Sequence, residues 1–190
     1  MKARIAIFIS GRGSNMEAIV TQTQHGILQE CCDIVLVFAN KPDAPGLRTA
    51  QQYGLKIAFV ESQGKKREDF DRQVIALLEP YRLDYIVLAG YMRILSPLFV
   101  ERYRNRIINI HPADTKAYQG IHGYEWAFEH KLETTKITVH FVDEGVDTGT
   151  ILDQREVDLR GADSLEEIER RGLQVEHEFY SNVLRRVFGV

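Results

Sequence analysis

Short apolar runs, each closed by glycine or proline and followed by a stretch with helical spacing, recur along this chain, and no other feature restricts its fold as much. An apolar strand that feeds an amphipathic helix is half of a βαβ unit, and successive units build a parallel sheet with helices on both faces. Arg4 to Ser10 is the first such run, and it passes through Gly11-Arg12-Gly13 into Ser14-Asn15-Met16-Glu17. Met16, Ile19 and Val20 have the i, i+3, i+4 spacing of a helix face, and Ser14 with Glu17 three residues on has the form of a capping box. Asp33 to Asn40 reads as a second strand, Pro45 to Tyr53 as a short helix stopped by Gly54, and Leu55 to Val60 as a third strand. Phe70, Val74, Leu77 and Leu78 share one face of a helix from Arg67 to Glu79, ended by Pro80, before a fourth strand from Asp84 to Gly90.

The second half departs from this rhythm. Arg106 to Ile110 reads as a short fifth strand, followed by a polar loop from His111 to Gly120 and a helix from His122 to His130. Thr135 to Val142 alternates Ile137, Val139 and Phe141 with Lys136, Thr138 and His140, the two-residue period of a half-buried strand of antiparallel type. An acidic turn from Asp143 to Gly149 leads to a last strand, Thr150 to Val157, and Ser164 with Glu167 opens a long helix to Phe188. The fold class is therefore α/β, a mostly parallel doubly wound sheet with an antiparallel strand near the C-terminus.

Lys plus Arg total 24 and Asp plus Glu total 27, so the net charge of −3 gives no global attraction for nucleic acid or an anionic membrane. Any anion site must be built locally. The apolar runs Ile5 to Ile9 and Ile34 to Ala39 fall far short of the roughly 20 residues of a membrane helix. Cys31 and Cys32 are adjacent, which suits neither a disulfide nor a zinc pair, and a cytoplasmic, reducing setting is expected.

Three segments have the residue types for chemistry. In Ser10-Gly11-Arg12-Gly13-Ser14-Asn15, glycines let the backbone approach a ligand, and the free N–H groups of the following helix favour a phosphate. Met16 at the third glycine position rules out the dinucleotide fingerprint, and a tight strand-to-helix turn is the simpler alternative. Asn109-Ile110-His111-Pro112 ends a strand where α/β sheets bind ligands, and alternation puts Asn109 and His111 on one side. An amide and an imidazole there suit acyl transfer, though they could equally satisfy loop backbone groups. Asp143 to Gly149 does not fit a calcium loop, but a carboxylate from it would raise the pKa of His111. His25, His130 and His177 read as surface or capping residues, while His122 and His140 stay open between cleft and core. No histidine pair has metal-ligand spacing, so no metal is expected.

Taken together, these motifs resemble one family. Ser-Gly-Arg-Gly-Ser-Asn at 10–15, Leu-Ala-Gly-Tyr-Met-Arg-Ile-Leu-Ser at 88–96, Asn-Ile-His-Pro at 109–112, Gly120 with His122, Val-His-Phe-Val at 139–142 and Val-Asp-Thr-Gly at 146–149 are similar in order and spacing to the glycinamide ribonucleotide formyltransferases, folate-dependent enzymes of purine biosynthesis. The resemblance implies a Rossmann-like formyltransferase fold, with residues 1–190 as a single formyltransferase domain. It also implies formyl transfer from 10-formyltetrahydrofolate, the co-substrate, to the amine of glycinamide ribonucleotide. Carried over residue by residue, Asn109, His111 and Asp147 are the catalytic set. Gly13, Ser14, Asn15 and Glu176 bind the ribonucleotide, and Arg67, Met92, Arg93, Ile94, Leu95 and Asn109 contact the folate. The partners implied are these small molecules, with no nucleic acid and no membrane, for a monomer or homodimer.

The chain departs from the family after His111-Pro112, where the usual Ser-Leu-Leu-Pro is replaced by Ala113-Asp114-Thr115-Lys116, so the shape of that loop does not carry over. Relatives commonly extend beyond the last long helix, and a peripheral element is expected to be missing. Neither a tRNA-binding domain nor a regulatory domain is expected, which disfavours methionyl-tRNA formyltransferase and formyltetrahydrofolate hydrolase. A sugar-nucleotide N-formyltransferase stays open within the same fold, as does a noncatalytic phosphoribosyl-binding module that has kept the glycine turn.

Overall fold

Burial on both faces is what makes the central strands read as unbroken apolar runs. In the computed structural model, which describes residues 1–189, β1 (Ala3–Ile9) is fully buried from Ile5 to Ile9. Its alternate residues serve two different cores. Ile5, Ile7 and Ile9 pack with α1 (Ser14–His25), α2 (Pro45–Gln52), α5 (Gly123–Glu129) and α6 (Leu165–Val187). Ala6 and Phe8 pack on the opposite face with α3 (Arg67–Leu78) and α4 (Pro97–Arg102).

The strands β2 (Cys32–Ala39), β3 (Ile57–Phe59), β4 (Tyr85–Leu88), β5 (Ile107–His111), β6 (Thr134–Phe141) and β7 (Ile151–Asp158) complete one sheet of order β3-β2-β1-β4-β5-β6-β7. Pairing is parallel from β3 through β5, whereas β6 runs antiparallel to both β5 and β7. The chain winds outward from β1 to β3, then crosses to β4 on the other side. The strand order thus reverses between β1 and β4, and the carboxyl ends beside such a reversal are where sheets of this kind bind ligands.

Several local readings change. Ser14 does not cap α1: Gly13 takes the N-cap position in the left-handed region (φ 76°), with no side-chain cap, so the glycine's freedom sets the entry. At α6 the expected cap forms, Ser164 Oγ accepting from Glu167 N–H at 3.2 Å, but the Glu167 carboxylate pairs with Arg170 and Arg171. Pro80 sits in a 3-10 turn, Glu79–Tyr81, that continues α3. The helix α4 was not expected, because six residues are too few to show a period; Ser96 caps it through Phe99 N–H. β6 is half-buried only at its start, since Thr138 and His140 are as buried as Ile137 and Val139. The segment after His111 covers that second face, where the Ala113 carbonyl accepts from Thr138 Oγ1 at 2.7 Å.

Cys31 and Cys32 are free and buried where β2 begins, and burial pushes the Cys32 thiol up to about 12. No helix among the described residues is long and apolar enough to cross a membrane. Tyr180 on α6 is fully buried, its hydroxyl 2.9 Å from the Leu88 carbonyl and 3.0 Å from that of Ile108, which fastens α6 to β4 and β5. Tyr180→Phe leaves the ring and strips this bond. The expected cost is about 1–2 kcal/mol, read as a lower denaturant midpoint at unchanged slope.

Candidate active site

The antiparallel turn in the sheet assembles the site. Alternation along β5 places Asn109 and His111 on one side, and the register sets Asn109 opposite His140 and His111 opposite Thr138 on β6. The strand continues one residue past its expected end at Ile110, so His111 is held by sheet geometry rather than by a loop. After β6 the acidic turn folds back over these side chains. Asp143 Oδ1 accepts from Gly145 N–H at 3.0 Å and from Thr148 Oγ1 at 2.6 Å, which closes the turn on itself. Gly149 lies so close to the Phe141 carbonyl oxygen that a Cβ would stand 1.7 Å from it, so no other residue fits.

The turn delivers Asp147 in the left-handed conformation (φ 53°), which aspartate tolerates better than most residues. Its carboxylate meets four groups. Oδ2 lies 3.3 Å from His111 Nδ1 and accepts from Gly120 N–H at 2.8 Å. Oδ1 lies 3.3 Å from His140 Nε2 and 3.5 Å from Asn109 Nδ2. His140, unassigned from the sequence, thus belongs to the same cluster, with Nε2 3.4 Å from Asn109 Nδ2. The cross-strand pairing with Asn109 was the signal that would have found it.

Burial by itself would raise the Asp147 carboxyl, but the His140 contact, His111 and the Gly120 N–H outweigh it and hold the group below the usual carboxylate range. For His111 the balance goes the other way. Burial lowers its pKa more than Asp147 and the Tyr118 carbonyl raise it, so the expected upward shift is corrected to a net downward one. The Tyr118 carbonyl lies 2.9 Å from Nε2, a distance that places the ring proton there. In the neutral ring the Nδ1 lone pair then faces the Asp147 carboxylate. Two acceptors without a proton between them make a pair able to take one up.

This cluster opens onto a cavity of about 380 Å³, lined also by Met92, Arg93, Ile94 and Leu95. Met92 and Ile94 are 62% and 48% exposed, an apolar wall facing the space, whereas Leu95 is mostly buried. Arg93 reaches the cavity but donates to the Ser62 and Lys65 carbonyls and lies over the Phe70 ring. Arg67 sits exposed at the start of α3 and does not line the cavity.

The other expected residues gather beside it, at the head of α1. Asn15 Nδ2 donates to Glu176 Oε2 at 2.7 Å, and the Tyr124 hydroxyl donates to Oε1 at 2.6 Å. Tyr124 reaches Glu176 because Gly172 leaves the α6 backbone bare; a Cβ there would stand 2.2 Å from the Tyr124 ring. Burial, only partly countered by these two hydrogen bonds, pushes the Glu176 carboxyl up. Asn15 Oδ1 is buried without a partner among the described residues. Gly13 and Ser14 present the turn itself, and a Cβ on Gly11 would meet nothing within 4 Å, so one side of the turn is open to an approaching group.

The replaced loop is tied down by its new residues. Asp114 accepts from Lys116 N–H at 3.0 Å, from Lys136 Nζ at 3.3 Å and from Gln154 Nε2 at 3.2 Å, fastening the segment to β6 and β7. Tyr118 stacks on Trp126 at 5.0 Å between ring centroids. Among the described residues no group of three or more His, Cys, Asp or Glu side chains is arranged to hold a metal.

Comparison with known proteins places residues 3–184 in a match to the formyl transferase family. A phosphoribosylglycinamide formyltransferase of Bacillus subtilis (strain 168) is 35% identical over 98% of this chain and 95% of its own length. The trifunctional purine biosynthetic protein adenosine-3 of Drosophila melanogaster is 38% identical over 96% of this chain, which spans only 14% of that relative. The crystal structure of a phosphoribosylglycinamide formyltransferase from Bacillus halodurans superposes with a TM-score of 0.93 at 34% identity, covering 98% of this chain and 95% of that one.

A depressed imidazole pKa has a definite sign in stability. The unfolded ring holds its proton at pH values where the folded one has lost it, so the contribution of His111 is complete above the ordinary imidazole value and is lost as pH falls through the folded value. Histidine NMR titration should place His111 below the ordinary value. In Asp147→Asn it should move lower still, since a raising charge is gone; an upward move would contradict the assignment.

Proposed function

The chain belongs to the formyl transferase family, and we propose that within it the protein moves the formyl group of 10-formyltetrahydrofolate to the amine of glycinamide ribonucleotide, a step of purine biosynthesis. The observation that carries this reading is the Asn109, His111 and Asp147 cluster at one end of a cavity with an apolar wall. The relatives named for this reaction share the chain's length and fold, which supports the same choice of substrates.

The chemistry follows from the groups present. Attack of the amine on the formyl carbon puts negative charge on the formyl oxygen and a surplus proton on nitrogen. An amide N–H from Asn109 and a ring N–H from His111 suit that oxygen, where fixed donors lower the barrier by several kcal/mol. His111 Nε2 now donates to the Tyr118 carbonyl, a stand-in for the oxygen that the reacting formyl group would bring. The His111 and Asp147 pair suits the proton, which must leave the amine and reach the folate nitrogen as the carbon–nitrogen bond breaks. Formylated ribonucleotide and tetrahydrofolate are the products.

Met92 and Ile94 fit the flat ring of the folate, and Arg67 and Arg93 suit its carboxylates. Gly13, Ser14 and Asn15 suit the ribonucleotide phosphate at the head of α1, with Glu176 accepting from its hydroxyls. The Asn15 Oδ1 atom, buried and unpartnered among the described residues, supports a polar ligand at this end. The assignment extends to a cytoplasmic setting and a monomer or homodimer that binds neither nucleic acid nor membrane.

Spectrophotometric assay with a formyl-folate and glycinamide ribonucleotide should show deformylation only when both are present. Turnover of the folate alone would identify a hydrolase instead, and turnover of neither a binding module. Asn109→Ala and His111→Ala should each lower kcat by about 100- to 1,000-fold, with much smaller changes in substrate affinity. Near-normal kcat in either variant would remove that residue from the mechanism.

A further inference from the structure

Met92, Ile94 and Leu95 supply the apolar wall of the cavity, yet the segment that carries them, Met92 to Ser96, belongs to neither a strand nor a helix. Its shape therefore depends on whatever holds its backbone. Two N–H groups, one at each end, donate to buried side chains from distant parts of the chain. Met92 N–H donates to Ser10 Oγ at 2.7 Å, and Ser10 donates in turn to Asn40 Oδ1 at 2.6 Å. Ser96 N–H donates to Asp71 Oδ2 at 2.6 Å. Between these anchors the Arg93 guanidinium lies 4.4 Å from the centroid of Phe70, the neighbour of Asp71 on α3.

Asp71 is the unusual member of this arrangement. It is 1% exposed and does not line the cavity. Taking a carboxylate out of water costs several kcal/mol unless it is well paired. Asp71 has the N–H and side chain of Ser96 and the nearby Arg93 and Arg67 charges, but its Oδ1 has no partner among the described residues, and neither do the buried Tyr91 hydroxyl and Arg93 Nε. An apolar side chain would fill the same space more cheaply. What a carboxylate adds there is an oxygen for the Ser96 N–H.

We propose that Asp71 is a positioning residue for the folate side of the cavity: by holding Ser96 N–H it fixes the backbone of Met92–Leu95, and so the wall against which the flat ring rests. This rests on the formyl-folate reading above. Asp71 acts on the folate side alone, since Asn109, His111, Asp147 and the turn at Gly13 are held by other contacts. Its loss loosens one substrate's wall and leaves the other substrate's site intact.

Steady-state kinetics with each substrate varied in turn separates this from a general structural role. Asp71→Ala should raise KM for 10-formyltetrahydrofolate about tenfold, the loss expected for one hydrogen bond to a charged group, with kcat and KM for the ribonucleotide within about twofold. Asp71→Asn retains an acceptor oxygen and should recover most of the folate KM. A parallel rise in both KM values, a fall in kcat alone, or no recovery by asparagine would overturn the proposal. If Asp71→Ala does not fold, Ser96→Pro and Ser96→Ala replace it: both lose the hydroxyl, only proline loses the N–H, and φ of −72° at Ser96 accepts proline. The proline variant should then bind a folate analogue about tenfold more weakly than the alanine variant by fluorescence titration, and equal binding would overturn the proposal. An unsubstituted protein that neither binds nor turns over formyl-folate would defeat the functional reading and this inference with it. Normal turnover with an unchanged folate KM in Asp71→Ala would defeat this inference alone.

Discussion

A sheet whose two faces are both covered by helices leaves one place for chemistry, the carboxyl ends of its strands. That constraint governs the rest of the molecule. Ile5, Ile7 and Ile9 are used up on one face and Ala6 and Phe8 on the other, so β1 can contribute nothing to a ligand until it ends. The segments free to meet a ligand accordingly gather at the strand ends: Ser10 and the glycine turn after β1, the Met92 segment after β4, and Asn109 with His111 at the end of β5. Reversal of β6 then brings His140 beside Asn109, and the turn that follows brings Asp147 back over both.

The electrostatics of the cluster come from this enclosure. Asp147 remains ionised because donors and imidazoles surround it, while the same enclosure keeps His111 from holding a proton easily. A charge balanced in this way inside a low-dielectric site suits the proton transfer proposed for it. The replaced loop adds to the enclosure, since Asp114 fastens it to β6 and β7 through Lys136 and Gln154.

Much of this was legible from residues alone, and what was not has physical reasons. Unbroken apolar runs gave β1 and β2 to within a residue, because a fully buried strand leaves no ambiguity of face. Two-residue alternation identified β6 but hid its burial, since a polar residue facing solvent and one covered by a loop have the same period. Ser14 has the chemistry of a cap, but the preceding glycine took the cap position, and sequence cannot rank those two solutions. Asn109 and His111 were readable at a strand end and Asp147 was named through family resemblance, and the structure brings the three together; His140 was missed because cross-strand register is a property of the sheet. Proximity of a carboxylate to His111 was foreseeable, but the larger effect of burial was not. Arg93 shows the same gap: its charge was readable, its attachment to two backbone carbonyls was not.

Gly172 carries a consequence of another kind. A bare stretch of helix backbone lets Tyr124 lie flat on α6 and present its hydroxyl to Glu176 one turn further on. The tyrosine is thus a spacer whose reach is set by the thickness of the helix beneath it. Adding a single methyl group at position 172 would lengthen that spacer and withdraw the hydroxyl, leaving Asn15 as the one side-chain donor to a carboxyl buried in apolar surroundings. A change with no polar atom in it would therefore push the Glu176 carboxyl further up, so the pKa of a group at the head of α1 depends on how closely two helices are allowed to approach.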